Sequence, residues 1–211
     1  MISIEKAREF YAESDAVHDF DHVLRVLAVA EKLARIEGAD LEIVHAAALL
    51  HDVAGSAPGS EERENHHIFS SDYAGRVLSE EGWPLERIKA AQHCIRAHRY
   101  RDGREPPATI EAQCVFDADK LDVIGAIGAA RTIAYATLAG EPFYSEPSEQ
   151  YLATGKEITG EPHSAYHEYL FKLRNIKGRL FTNAARQMAE HRDRFLTSFF
   201  EELAAEMKAE K

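Results

Sequence analysis

The sequence predicts an all-α protein, a helical bundle with additional C-terminal helices, and three observations carry that prediction. Apolar residues recur at helical spacing along nearly the whole chain. No segment shows the regular alternation of a half-buried strand. The Gly-x-Gly-x-x-Gly and Gly-Lys-Ser/Thr phosphate loops of nucleotide-binding α/β folds are absent, which disfavours a doubly wound sheet. With 211 residues, 45% of them apolar, the chain fits one domain and can bury a sizeable core.

The elements follow in order. Residues 2–13 alternate apolar and charged positions at helical spacing. Residues 19–37 read as a long second helix ending at Gly38, a suitable residue just past a helix end. Asp40 can cap a third helix over 41–52. Ala54-Gly55-Ser56-Ala57-Pro58-Gly59-Ser60 is a loop by every local signal. Ser70 or Ser71 can cap a helix over 71–81 that Gly82 stops, and Pro84 suits the first turn of the next, 84–98. Residues 99–108 are charged, hold two prolines and read as a loop. Helices near 109–121 and 124–139 follow, parted around Gly125. Residues 140–163 hold scattered prolines and glycines among polar and aromatic residues, and read as a candidate lid or a surface excursion. Helices return over 164–175 and 178–209. The expected organisation is a single domain over 1–211, with a core about 15–139, the loop 140–163 and C-terminal helices 164–209.

Composition narrows the function. A formal charge of −11 speaks against a general nucleic-acid surface, because such proteins usually carry a basic face. An anionic small substrate stays compatible, since a metal and a few local cations can dominate a cleft. Cys94 and Cys114 are too few for a disulfide framework, fit no zinc spacing, and read as small core residues. No basic stretch followed by an apolar run opens the chain, and no window holds the ~18 uncharged apolar residues of a membrane span. The expectation is a cytoplasmic protein with no membrane and no nucleic-acid polymer as partner; a homodimer is left open.

The chemistry centres on His51-Asp52, which closes the apolar run Val44-His45-Ala46-Ala47-Ala48-Leu49-Leu50. A charge ending a buried helix is costly unless compensated, and a metal ion would compensate both side chains at once. His22 upstream and Asp119 downstream can complete the set. At about 100° per residue, His18, His22 and Arg25 project from one sector of the second helix, and the row Val26, Val29, Leu33 turns His22 toward the core. Taken alone, His22 also suits a core histidine bonded to a backbone carbonyl. Two imidazoles and two carboxylates suit a divalent ion such as manganese, iron, cobalt, nickel or zinc, and the lack of cysteine argues against structural zinc.

Four protein ligands leave octahedral positions for water and a substrate oxygen, an arrangement for hydrolysis. Asp52, His98 and Lys120 are the candidate catalytic residues. His18, Arg25, His98 and Lys120 are the candidates for binding substrate: Lys120 and Arg25 can balance phosphoryl charge, and His98 can donate to a phosphate or protonate a leaving group. A solvated lysine and a histidine on a helix dipole are the plainer accounts of Lys120 and His98. His45 reads as a satisfied core or surface residue. His66 or His67 could form a second metal site with His93, on permissive but loose spacing. Among His163, His167 and His191, only His167 falls on a segment worth inspecting near a cleft.

Three stretches together, His18-Asp19-x-x-His22-x-x-Arg25-Val26, Ala47-Ala48-Leu49-Leu50-His51-Asp52-Val53 and Asp117-Ala118-Asp119-Lys120-Leu121-Asp122-x-Ile124-Gly125-Ala126-Ile127-Gly128-Ala129-Ala130-Arg131, resemble the HD-domain phosphohydrolases. The resemblance is to their small single-domain bacterial and archaeal subgroup, some members of which are nucleotide pyrophosphohydrolases, and it spans roughly residues 15–201. It implies a helical HD fold with His22, His51, Asp52 and Asp119 holding one divalent metal. Manganese leads as the cofactor; iron, nickel, cobalt, zinc and magnesium are alternatives. The implied reaction is hydrolysis of a phosphate ester or phosphoanhydride, on a small nucleotide-like substrate, by metal-activated water. A di-iron oxygenase of HD type and a non-catalytic nucleotide sensor are the alternative readings. The Gly-Ser-Ala-Pro-Gly loop and the 140–163 segment depart from the subgroup and bear on the substrate more than on the metal.

Overall fold

Helix follows helix in the computed structural model, which describes residues 2–11, 20–54, 61–99 and 105–210, with no strand among them. His18 and the Gly-Ser-Ala-Pro-Gly loop lie outside the described residues. The chain divides into two compact units, one of Met1–Asp119 with Leu180–Ala185, the other of Lys120–Arg179 with Arg186–Lys211. Among the described residues, no single helix is long and apolar enough to cross a membrane.

The first unit is built around α3 (Leu41–Leu50), which is buried from Ile43 to Leu50. A helix apolar on all sides must be surrounded, and α1 (Ile4–Arg8), α2 (Phe20–Glu37), α4 (Glu61–Glu80) and α5 (Leu85–Ala97) all pack against it. Asp40 caps α3 as expected, its Oδ1 accepting the amides of Glu42 and Ile43 at 3.0 and 3.2 Å. Arg87 then clamps the Asp40 carboxylate with both Nη atoms at 2.8 and 3.0 Å. At the far end of α3 the Tyr11 hydroxyl donates to the Leu49 carbonyl at 2.8 Å, satisfying one of the acceptors that a helix end leaves open. In the core His45 lies between two acceptors, its Nδ1 2.7 Å from a Glu31 carboxylate oxygen and its Nε2 3.0 Å from the Ile2 carbonyl.

The helix predicted over 71–81 begins ten residues earlier, so neither Ser70 nor Ser71 is its cap. Both are fully buried inside α4. The Ser70 hydroxyl accepts the Ala54 amide at 3.0 Å, and that of Ser71 accepts Arg96 Nη1 at 3.1 Å. A serine with a tertiary partner has no need of a cap position. Pro84 stands at the N-cap of α5 rather than within its first turn. The 109–121 helix is α6 (Ile110–Asp122), whose last turn crosses from the first unit into the second.

In the second unit, α7 (Gly125–Leu138) packs on α9 (Ala165–Phe171). A Cβ on Gly128 would stand 2.3 Å from the Val123 carbonyl oxygen, so only glycine fits where α7 begins. The segment read as a loop over 140–163 contains a short helix, α8 (Glu149–Thr154), ended by Gly155 at φ +69° beneath the Phe171 ring. Its anchor is Glu161, whose carboxylate accepts the Ser148 amide and hydroxyl at 2.6 and 2.7 Å, the Ile158 amide at 2.8 Å and His167 Nε2 at 3.2 Å. Burial alone would raise this carboxyl, but the donors hold its pKa at about 2. The predicted C-terminal helices are α9, two single 3₁₀ turns at Leu173–Asn175 and Lys177–Arg179, and the long α10 (Asn183–Met207). His167 is fully buried in the Glu161 network, with Ser164 Oγ 2.7 Å from its Nδ1.

Candidate metal centre

Four helices of the first unit and the turn after α3 bring six side chains together. His22 lies in the first turn of α2, where the apolar row Val23, Val26, Leu27 and Ala30 buries the same side of the helix. His51 is the C-cap of α3, and Asp52 follows in the turn. His98 is the C-cap of α5, His66 comes from α4, and Asp119 sits in the last turn of α6.

His22 Nε2 is 3.4 Å from His51 Nε2, 3.5 Å from Asp119 Oδ1 and 3.9 Å from Asp52 Oδ2. His51 Nε2 is 3.6 Å from the same Asp52 oxygen. A transition metal bound at about 2.1 Å spaces its neighbouring ligands by roughly 3.0–3.4 Å, so the ligand atoms are close to the separations one ion requires.

The proton positions sharpen this. His51 Nδ1 donates to the Ala48 carbonyl at 2.8 Å. A carbonyl only accepts, so the proton sits on Nδ1 and the Nε2 lone pair faces inward. Burial pushes the His51 pKa down to about 4, with Asp52 opposing and His98 and His22 adding to the fall, so the ring is neutral at pH 7. A lone pair aimed at a carboxylate oxygen is repulsive unless a cation lies between them. His98 repeats the geometry, its Nδ1 donating to the Ile95 carbonyl at 2.6 Å.

Asp52 joins two groups of ligand atoms. Oδ2 faces His22 and His51, while Oδ1 is 3.2 Å from His66 Nε2 and 3.4 Å from His98 Nε2. Within each of the sets His22, His51, Asp119 and Asp52, His66, His98 the ligand atoms all lie within 4.8 Å of one another, as a bound ion needs. Oδ1 is buried, and neither imidazole is aligned with it as a hydrogen-bond donor. Close approach without alignment is what atoms converging on a shared cation look like. Burial alone would raise the Asp52 carboxyl, but His51, His66 and His98 hold it well below the usual carboxylate range.

The other predicted residues are placed as follows. Arg25 is half-buried one turn beyond His22 on α2, and Lys120 is buried one residue past Asp119, in the second unit. His93 does not join His66: its Nδ1 pairs with Glu105 at 2.7 Å and its Nε2 accepts the Ala108 amide at 3.2 Å, so both ring nitrogens are taken. His67 is buried next to His66, their rings 5.7 Å apart, and is outside the ligand sets. Sequence support for His66 is loose, because a histidine inside a long polar helix carries no spacing signal. A usable one was present in the pairing of His51 and His98, each standing at the C-terminal end of a helix.

Residues 19–124 match the HD domain family model. Over 190 residues, 88% of this chain and 82% of the relative, the sequence is 32% identical to YpgQ of Bacillus subtilis. The chain belongs to the HD-domain family. The crystal structure of Bacillus subtilis YpgQ in complex with ADP superposes with a TM-score of 0.74 at 27% identity, covering 97% of both chains. A Bacillus thuringiensis HD-superfamily hydrolase superposes with a TM-score of 0.70 at 31% identity, over 98% of this chain and 95% of that one. A Lactobacillus plantarum protein gives 0.75 at 28% identity, over 99% and 100%. The helical HD fold is therefore shared across nearly the whole length.

Proposed function

We propose that this HD-domain protein is a divalent-metal-dependent phosphohydrolase acting on a small nucleotide-like substrate. The observation that carries the reading is the inward convergence of the His22, His51, Asp52 and Asp119 ligand atoms, with the His51 lone pair fixed by Ala48. The donor set, two imidazoles and two carboxylates without thiolate, fits a borderline or hard ion, manganese before the others. When bound, such an ion supplies Lewis acidity toward a phosphoryl oxygen and makes water a nucleophile near neutral pH.

The protein's own residues do the rest. The four ligands hold the ion, and the carbonyls of Ala48 and Ile95 fix the rings of His51 and His98. Asp52 keeps its charge at neutral pH despite burial. His98, whose Nε2 is turned toward Asp52, is assigned the leaving oxygen. Arg25 and Lys120 are assigned the phosphate charge. The likeness to YpgQ, solved with ADP, supports a nucleotide as the substrate class.

A release screen for phosphate and pyrophosphate over the common nucleotides, with manganese, magnesium, cobalt and nickel added singly to metal-free protein, tests this. Metal-dependent release from at least one nucleotide is expected; no release with any metal would contradict the reading. A second reading is favoured by Asp52 Oδ1 lying against His66 and His98: a two-ion centre in which Asp52, His66 and His98 would hold the second ion. Two bound irons per chain with oxygen uptake would select an oxygenase, whereas two ions with phosphate release would keep the hydrolase.

A further inference from the structure

The Asp117-Ala118-Asp119-Lys120-Leu121-Asp122 motif holds three aspartates, and the metal centre uses one. Asp122 pairs with Arg131. Asp117 is fully buried, and its carboxylate reaches 64 residues along the chain. Oδ1 accepts the Phe181 amide at 2.9 Å; Oδ2 accepts the Thr182 amide at 2.7 Å and the Thr182 hydroxyl at 2.8 Å. The Thr182 hydroxyl in turn accepts the Ala185 amide at 3.2 Å, closing the first turn of α10. Beside it the Phe116 and Phe181 rings meet edge to face at 5.2 Å. The Ala184 amide donates to Glu37 at the end of α2 at 2.8 Å. The stretch Leu180–Ala185 is thus tied to both α6 and α2, the helices that carry Asp119 and His22.

Two residues apart on a helix means about 200° around its axis. Asp117 and Asp119 therefore leave α6 on opposite faces, one toward Leu180–Ala185 and the other toward His22. Asp119 sits in the last turn, before α6 ends at Asp122, where a helix is least constrained by its own hydrogen bonds. A ligand oxygen has to be held to within about 0.5 Å. Three donors on one buried carboxylate fix the rotation of that turn better than apolar packing alone, because turning it would strand a buried charge.

We propose that Asp117 is a positioning residue for the metal centre: by gripping Phe181 and Thr182 it sets the rotation of α6 and so holds Asp119 against His22. The inference rests on the metal reading of the site. Mn²⁺ titration of the metal-free full chain, followed by electron paramagnetic resonance of the free ion, tests it. The wild type is compared with Asp117→Asn, Thr182→Val and, as a control, Arg87→Ala, which breaks the clamp on the opposite end of α3. Each is measured at a temperature where circular dichroism shows it folded. Asp117→Asn should bind Mn²⁺ about tenfold more weakly, Thr182→Val should lose less, and Arg87→Ala should match the wild type. Faster hydrogen exchange at the end of α6 in Asp117→Asn should accompany the loss. Wild-type affinity in folded Asp117→Asn overturns the proposal, as does an equal loss in Arg87→Ala. If Asp117→Asn does not fold, unchanged affinity in Thr182→Val overturns it. A wild type that binds no Mn²⁺ removes the metal reading and this inference with it, an outcome distinct from the others.

Discussion

His51 is neutral because burial outweighs the Asp52 and Asp119 carboxylates that favour its protonation. Burial moves its pKa from 6.5 to about 4, while in the unfolded chain the ring takes up its proton near 6.5. Between those values the unfolded state binds more protons than the folded one, so stability rises with pH. The contribution of His51 is complete above about pH 6.5 and is lost as pH falls toward 4, an effect of about 3 kcal/mol at most. Asp52 acts in the same direction at lower pH, since it is held below its usual 3.8 and must be protonated as the fold fails in acid. The melting temperature of the metal-free protein should therefore fall steadily from pH 6.5 to 4, and His51→Asn should flatten that slope. An unchanged slope in the variant would show that the ring does not carry the effect. Acid should release a bound metal over the same range, because protons compete for the same lone pair.

At the scale of the elements, α3 is the helix on which the first unit depends. Leu49 and Leu50 are fully buried just before the His51-Asp52 turn. Leu50→Ala should lower the unfolding free energy by about 2–5 kcal/mol. Leu85→Ala, at a position 62% exposed, should change it by less than about 0.5 kcal/mol. Denaturant unfolding of the two variants checks the contrast, and similar losses would show that α3 is not the core. The helices legible in the sequence were those whose signals are local: the Asp40 cap, the Gly38 stop and the unbroken apolar run of α3. The start of α4 was not legible, because Ser70 and Ser71 look like caps and their real partners, Ala54 and Arg96, are distant in sequence. For the same reason the order in 140–163 was hidden, since Glu161 gathers donors from Ser148, Ile158 and His167. The candidate ligands were legible through the motifs that carry them. The facing of Asp52 by His66 and the grip of Asp117 on Thr182 depend on helix packing that no spacing encodes.

For the whole molecule, a formal charge of −11 works against the approach of anions, yet the first unit gathers four histidines and two aspartates at one site. An acidic chain that takes an anionic substrate needs a local positive charge, and the central claim is that a divalent ion held by His22, His51, Asp52 and Asp119 provides it. Elemental analysis of manganese-reconstituted, dialysed protein tests this most directly, with Asp52→Ala beside the wild type. The wild type should retain at least one ion per chain, and Asp52→Ala should retain essentially none while its circular dichroism stays helical. Equal metal retention by folded Asp52→Ala, or none by the wild type, would contradict the account.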